Sequence, residues 1–120
     1  MFAPPPLINR VSINSMNCEK LIDFFSTLGM MFNVEVMKNN LSKYTYIHVP
    51  FTFQICEVET PAEITKNASL RFLIDDIDGY LDDIEKTDVF DLENSWLSDS
   101  YQHILLRDLH GNKVELMTKR

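Results

Sequence analysis

The sequence predicts an α+β fold built from one βαβββ unit given twice, and three observations point to it. The apolar residues Cys18, Leu21, Ile22 and Phe25 stand 1, 4, 5 and 8 residues after Asn17, and Ile77, Tyr80, Leu81 and Ile84 stand at the same offsets from Asp76. That spacing lays an apolar stripe along one face of a helix. Each stripe follows an alternating run, Val11 and Ile13 before the first, Leu70, Phe72 and Ile74 before the second. Alternation with period two is the mark of a half-buried strand. Each stripe is then followed by extended segments broken by turn residues, so both units read strand, helix and three strands.

Taken in order, the first strand around Val11 and Ile13 runs into Asn17, a strong N-cap residue whose side-chain oxygen can accept a free N–H of the first helical turn. Gly29 ends the helix, because a glycine just past the last turn takes a left-handed conformation without a Cβ penalty. Residues 31–37 then read as extended, and residues 44–49 and 51–57 form a hairpin turning at Pro50, where a missing N–H costs nothing. Residues 58–67, with Pro61, connect the units. In the second unit Asp76 caps the helix and residues 89–93 are strand-like. Residues 94–100, carrying Trp96, are expected to be a lid or rim loop. Residues 101–107 and 113–118 flank a turn at Asp108, Leu109, His110 and Gly111. The whole is one domain, with module one at 7–57, the connector at 58–67 and module two at 68–118.

Composition narrows the function classes. The chain has 120 residues, 45% hydrophobic and 24% charged, which is enough for a real core. A formal net charge of −7 opposes binding to nucleic-acid backbones and to anionic membranes. Residues 1–6 lack a basic and apolar leader pattern, and no apolar run approaches the roughly 18 residues that span a bilayer. A cytoplasmic location is expected. Cys18 and Cys56 lack metal-type spacing and read as buried free thiols. The acidic cluster of Asp75, Asp76, Asp78, Asp82, Asp83 and Glu85 lacks the ligand order of a calcium loop and reads as a solvated helix face. There is no Gly-rich phosphate loop, nucleophile elbow or Cys-X-X-Cys.

The doubled unit, the helix phrases Phe24-Phe25 and Leu28-Gly29-Met30, and the closing run from Arg107 through Asp108, His110 and Gly111 to Glu115 and Leu116 resemble the vicinal oxygen chelate superfamily. That is the group of glyoxalases, bleomycin-resistance proteins and extradiol dioxygenases, and the resemblance spans residues 7–117. It implies an open, cup-shaped mixed β-sheet with helices on the outside, a ligand or metal inside the cup, and a homodimer.

Alternation assigns the faces independently of the resemblance. In the first hairpin Thr45, Ile47, Val49, Phe51, Phe53 and Ile55 are expected against the helices, leaving Tyr44, Tyr46, His48, Thr52, Gln54 and Cys56 in the cup. In the second, Ile104, Leu106, Val114 and Leu116 are expected against the helix, with Tyr101, His103, Leu105, Arg107, Lys113, Glu115 and Met117 in the cup.

The superfamily's metal-ligand positions map by spacing onto Arg10, Gln54, Ser69 and Glu115. Arg10 is disqualifying there, because a guanidinium has no lone pair to donate, and Ser69 is a poor neutral ligand. The expectation is therefore no cofactor, with Arg10, or failing that Arg71, pairing with Glu115 in place of an ion. The alternative is a rearranged set of His48, His103 and Glu115 holding Zn, Fe, Ni or Mn. Two functions follow from the resemblance. The first is a non-catalytic protein of the bleomycin-resistance type, binding a small organic molecule through Arg10, Tyr44, Tyr46, His48, Gln54, Arg71, Tyr101, His103 and Glu115. The second is a lyase, isomerase or dioxygenase using that rearranged metal set, or Glu115 as a base.

Overall fold

The computed structural model describes residues 3–120; Met1 and Phe2, the start of the segment 1–6 read for a leader pattern, fall outside the described residues. Strand β1 (Arg10–Ser15), helix α1 (Cys18–Thr27) and strands β2 (Asn33–Val36), β3 (Ser42–His48) and β4 (Phe51–Glu57) form the first unit. A single 3-10 turn, Pro61–Glu63, interrupts the connector. Strand β5 (Ser69–Leu73), helix α2 (Ile77–Lys86) and strands β6 (Asp91–Leu97), β7 (Tyr101–Arg107) and β8 (Lys113–Lys119) form the second. Two open, four-stranded mixed sheets result, in the orders β1-β4-β3-β2 and β5-β8-β7-β6. In each, the strand before the helix pairs in parallel with the last strand of its unit, and the other pairs are antiparallel.

The helix ends show local chemistry at work. Helix α1 stops in a paired C-terminal motif: Gly29, at φ +90°, donates its N–H to Ser26 O at 3.0 Å, and Met30 donates to Phe25 O at 3.2 Å. Asp76 caps α2 as expected, accepting the Asp78 N–H at 3.1 Å. Asn17 does not cap α1 with its side chain; its own N–H donates to Ser15 Oγ at 2.9 Å.

One aromatic cluster joins the units. Phe25, fully buried on α1, lies 5.5 Å from Phe53 of β4 and 5.4 Å from Phe72 of β5, measured between ring centroids. Phe53 and Phe72 are themselves 5.7 Å apart, and Phe90 packs on Phe24 at 4.9 Å. The helix-covered sides of both sheets thus share a single core. The fold stays flat, with extents of 51 × 46 × 24 Å and a radius of gyration of 15.6 Å, against roughly 13–14 Å for a compact domain of this length.

Two expectations are corrected. The turn at Val49 and Pro50 leaves His48 opposite Phe51, Tyr46 opposite Phe53 and Tyr44 opposite Ile55. Directly opposed residues share a face, so Tyr44, Tyr46 and His48 lie on the helix side with Phe53 and Ile55. Thr45 and Ile47 lie with Gln54 and Thr52 on the helix-free side. A two-residue turn pairs odd positions with even ones, so alternation cannot be carried straight through it. Nor is 94–100 a lid: Asn94 to Leu97 belong to β6, which pairs with β7 past a register shift at Leu92/Asn94.

Truncating Phe25 to Ala is expected to cost about 3–5 kcal/mol in urea unfolding, whereas Leu109→Ala, at a site 94% exposed, leaves the midpoint unchanged. Cys18 gives a pH test. Burial, reinforced by the negative charge of Glu57, pushes its thiol from 9.0 up to about 11. The unfolded thiol ionises first as pH rises, so native stability falls between about 9 and 11. Cys18→Ala removes that part of the decline, read as the difference between the two proteins' urea midpoints across the range.

Candidate functional site

The helix-free face of the second sheet gathers charged and aromatic side chains from all four of its strands. Arg71 of β5 and Glu115 of β8 are direct partners in the parallel register, and their side chains meet: Arg71 Nε lies 2.5 Å from Glu115 Oε2. His103 of β7 places Nδ1 3.4 Å from the same oxygen and Nε2 2.8 Å from Ser98 Oγ. Trp96 of β6 sits opposite His103 and stacks on it, rings parallel within 2° and 4.8 Å apart. Tyr101 stands at the edge, 6.3 Å from His103.

Burial explains the arrangement. The Glu115 side chain is only 13% exposed, and a carboxylate withdrawn that far from water needs a counter-charge or hydrogen-bond donors. Arg71, itself largely exposed, supplies the charge from the adjacent strand, and the buried His103 supplies a ring nitrogen.

Several expected partners lie elsewhere. Arg10 is exposed on the first sheet and makes no ion pair among the described residues, so the guanidinium on Glu115 is that of Arg71. Gln54 is buried on the first sheet's helix-free face, where its Oε1 accepts the Ser12 hydroxyl at 3.2 Å. No hydrogen bond or ion pair among the described residues joins this group to Glu115. Tyr44 packs towards the helix core, and His48 stacks on Tyr46 at 6.4 Å. These two rings line a space away from Glu115. A cavity of about 630 Å³ at the junction of the units is lined by Tyr46, His48 and Arg71 together with the apolar Val11, Phe53 and Leu70. Cys56 and His48 lie on opposite faces of the first sheet and form no dyad.

The donor set does not fit a divalent ion. Of the four positions implied by the resemblance, Arg10 has no lone pair to give, Ser69 is a neutral hydroxyl, Gln54 is a neutral amide whose oxygen accepts the Ser12 hydroxyl, and Glu115 is already held by a guanidinium. The rearranged set of His48, His103 and Glu115 is not assembled, because His48 belongs to the other sheet and faces its helix side. Among the described residues, no three His, Cys, Asp or Glu side chains are grouped to share an ion.

Sequence reasoning missed Trp96 and Ser98. Both sit in a stretch of Asn, Ser and Asp that reads as loop, and the only hint of a strand was the opposing run from Tyr101. Among the described residues no helix is long and apolar enough to cross a membrane, which leaves β-barrels unaddressed.

No family model matches the sequence, and no curated protein does. Solved structures do. A glyoxalase family protein from Bacillus anthracis superposes with a TM-score of 0.69 at 18% identity, covering 100% of both chains. TnmS3, an antibiotic binding protein from a Streptomyces species, gives 0.67 at 14% identity over 99% of this chain and 100% of its own. A glyoxalase/bleomycin resistance protein from Albidiferax ferrireducens gives 0.68 at 20% identity over 94% and 98%. At such identities the likeness speaks for the fold. The repeated βαβββ unit, its two open sheets and these superpositions together establish that the chain has the fold of the vicinal oxygen chelate superfamily.

Proposed function

We propose that this chain is a metal-free binding protein for a small organic molecule, of the bleomycin-resistance type, acting as a homodimer in the cytoplasm. The observation that carries the reading is Arg71 on Glu115. The residue best able to hold an ion is occupied by a permanent cation from the neighbouring strand. What remains on that face suits a planar, partly apolar ligand. Trp96 and Tyr101 offer rings for stacking, Leu105 and Met117 offer apolar surface, and the largely exposed Arg71 offers donors that fix orientation.

The flat shape supports a second copy. Since the units meet through their helix-covered sides, one chain leaves both helix-free faces without a facing wall. Phe51 and Leu73, both more than half exposed, add apolar surface at the junction. A second copy that brings its first sheet, with Arg10 and Gln54, over Glu115 would close a cup around the ligand. An antibiotic binding protein and a glyoxalase/bleomycin resistance protein among the structurally similar proteins are consistent with small-molecule binding on this fold.

Purified protein is expected to contain well under one equivalent of any transition metal by mass spectrometry, and its melting temperature to be unmoved by EDTA. At least one compound in a planar-aromatic panel should raise that temperature. A ligand at about a hundred times its Kd adds about 2.7 kcal/mol to native stability. The same compound should quench Trp96, the chain's one tryptophan, directly. Stoichiometric metal whose removal lowers the melting temperature would sink the reading.

The ion pair has its own test. Arg71→Ala leaves the Glu115 charge short of its counter-ion and should cost about 1–3 kcal/mol. Adding Glu115→Gln should restore most of that loss, measured as a double-mutant cycle in urea.

A further inference from the structure

We propose that Ser98, His103 and Glu115 form a nucleophilic relay that cleaves carboxylic esters, an activity that does not depend on the binding role proposed above. His103 is 7% exposed, with Nε2 2.8 Å from Ser98 Oγ and Nδ1 3.4 Å from Glu115 Oε2. A neutral imidazole has one donor and one acceptor nitrogen, and a carboxylate only accepts. Glu115 therefore assigns the proton to Nδ1, which leaves Nε2 to accept the Ser98 hydroxyl proton. Hydroxyl, imidazole and carboxylate in that order is the arrangement that activates a serine, and it is recognised by roles and geometry, whatever the order in sequence. The lack of a nucleophile-elbow motif is no obstacle.

Each member is held in place, and the nucleophile is open to solvent. Ser98 follows the last residue of β6, is exposed, and is fixed by its N–H to Tyr101 O at 2.8 Å and by Arg120 Nη1 donating to its carbonyl at 2.7 Å. Trp96, stacked on His103, restrains the ring, and Arg71 restrains Glu115 from the far side. The Ser98 hydroxyl also lies 3.3 Å from Tyr101 O, a longer and weaker alternative to the bond with His103. The N–H of Asp99, the residue after the nucleophile, is the main-chain donor next in sequence for a developing oxyanion.

The chemistry closes with water alone. Ser98 Oγ attacks the ester carbonyl carbon as its proton passes to His103 Nε2, and Glu115 faces the imidazolium that forms. Collapse of the tetrahedral adduct breaks the carbon–oxygen bond to the alcohol, which leaves with the proton from Nε2. Water then attacks acyl-Ser98, giving its proton to His103, and the acid departs as that proton returns to Ser98. Trp96 beside the relay favours esters with an aromatic or apolar group.

An alkyl fluorophosphonate tests this on the full chain. The Oγ–P bond replaces P–F, fluoride leaves, and the adduct is located by peptide mass spectrometry. Native protein should label at Ser98, Ser98→Ala should abolish the adduct, and Ser100→Ala should label fully. His103→Gln should slow labelling by about a hundredfold or more. Turnover of p-nitrophenyl acetate should depend on Ser98 in the same way. Labelling of native Ser98 no faster than in urea-unfolded protein, or ester turnover unchanged in Ser98→Ala, would overturn the relay. Ligand-induced melting shifts would stand in either case, which separates this failure from failure of the binding role.

Discussion

Phe25 is the side chain on which the two units close. It has no exposed surface, and its ring contacts rings contributed by β4 and by β5. Helix α1 is buried from both units: Phe25 packs on Phe53 of its own unit, and Phe24 and Phe25 pack on Phe90 and Phe72 from the other. Aromatic pairs at 5 to 6 Å in tilted and edge-on geometries add to the transfer free energy of the rings. The cluster therefore does more than stabilise. It joins the helix-covered sides of both sheets in one core and leaves the helix-free sides as the surfaces where chemistry can be placed.

The second constraint is the charge on Glu115. A carboxylate 13% exposed on a sheet face demands a partner, and sheet geometry supplies one from the adjacent parallel strand, where direct neighbours in the register have parallel side chains. Arg71 is that neighbour. Arg10, on the first sheet, has no such path to it. The question of which arginine neutralises the site is thus answered by strand pairing, a property of topology that spacing along one sequence does not contain.

Much of the fold was legible because its signals are local. The offsets from Asn17 and Asp76 mark both helices, Gly29 marks a helix end that the backbone at φ +90° bears out, and β4 and β7 have the bounds read from alternation. What was lost depended on pairing across turns. At the first hairpin a two-residue turn exchanged the parity of faces and moved Tyr44, Tyr46 and His48 to the helix side. At the second, Tyr101 opposes Lys119 and His103 opposes Met117, partners of equal parity, so the same reasoning placed His103 and Glu115 on one face. Strand β6 was missed beyond Glu93 because Asn94 and Ser95 are poor strand formers; its pairing with β7 overrides their preference.

The repeat also explains why the candidate chemistry belongs to one sheet. Ser12 opposes Gln54 in the first unit as Arg71 opposes Glu115 in the second. Both pairs touch, the first as a neutral hydrogen bond and the second as an ion pair. Lys43, opposite Cys56, occupies the position that His103 holds opposite Met117, and it pairs outward with Glu35 at 3.6 Å. A neutral amide needs no counter-ion, and Gln54 is met by the Ser12 hydroxyl with no charged partner. Replacing that amide by a carboxylate creates a site that must recruit donors, and Arg71, His103 and, through His103, Ser98 are the donors recruited. The two copies of one architecture thus differ in charge at this position, amide in one and carboxylate in the other, and in the partners that surround it.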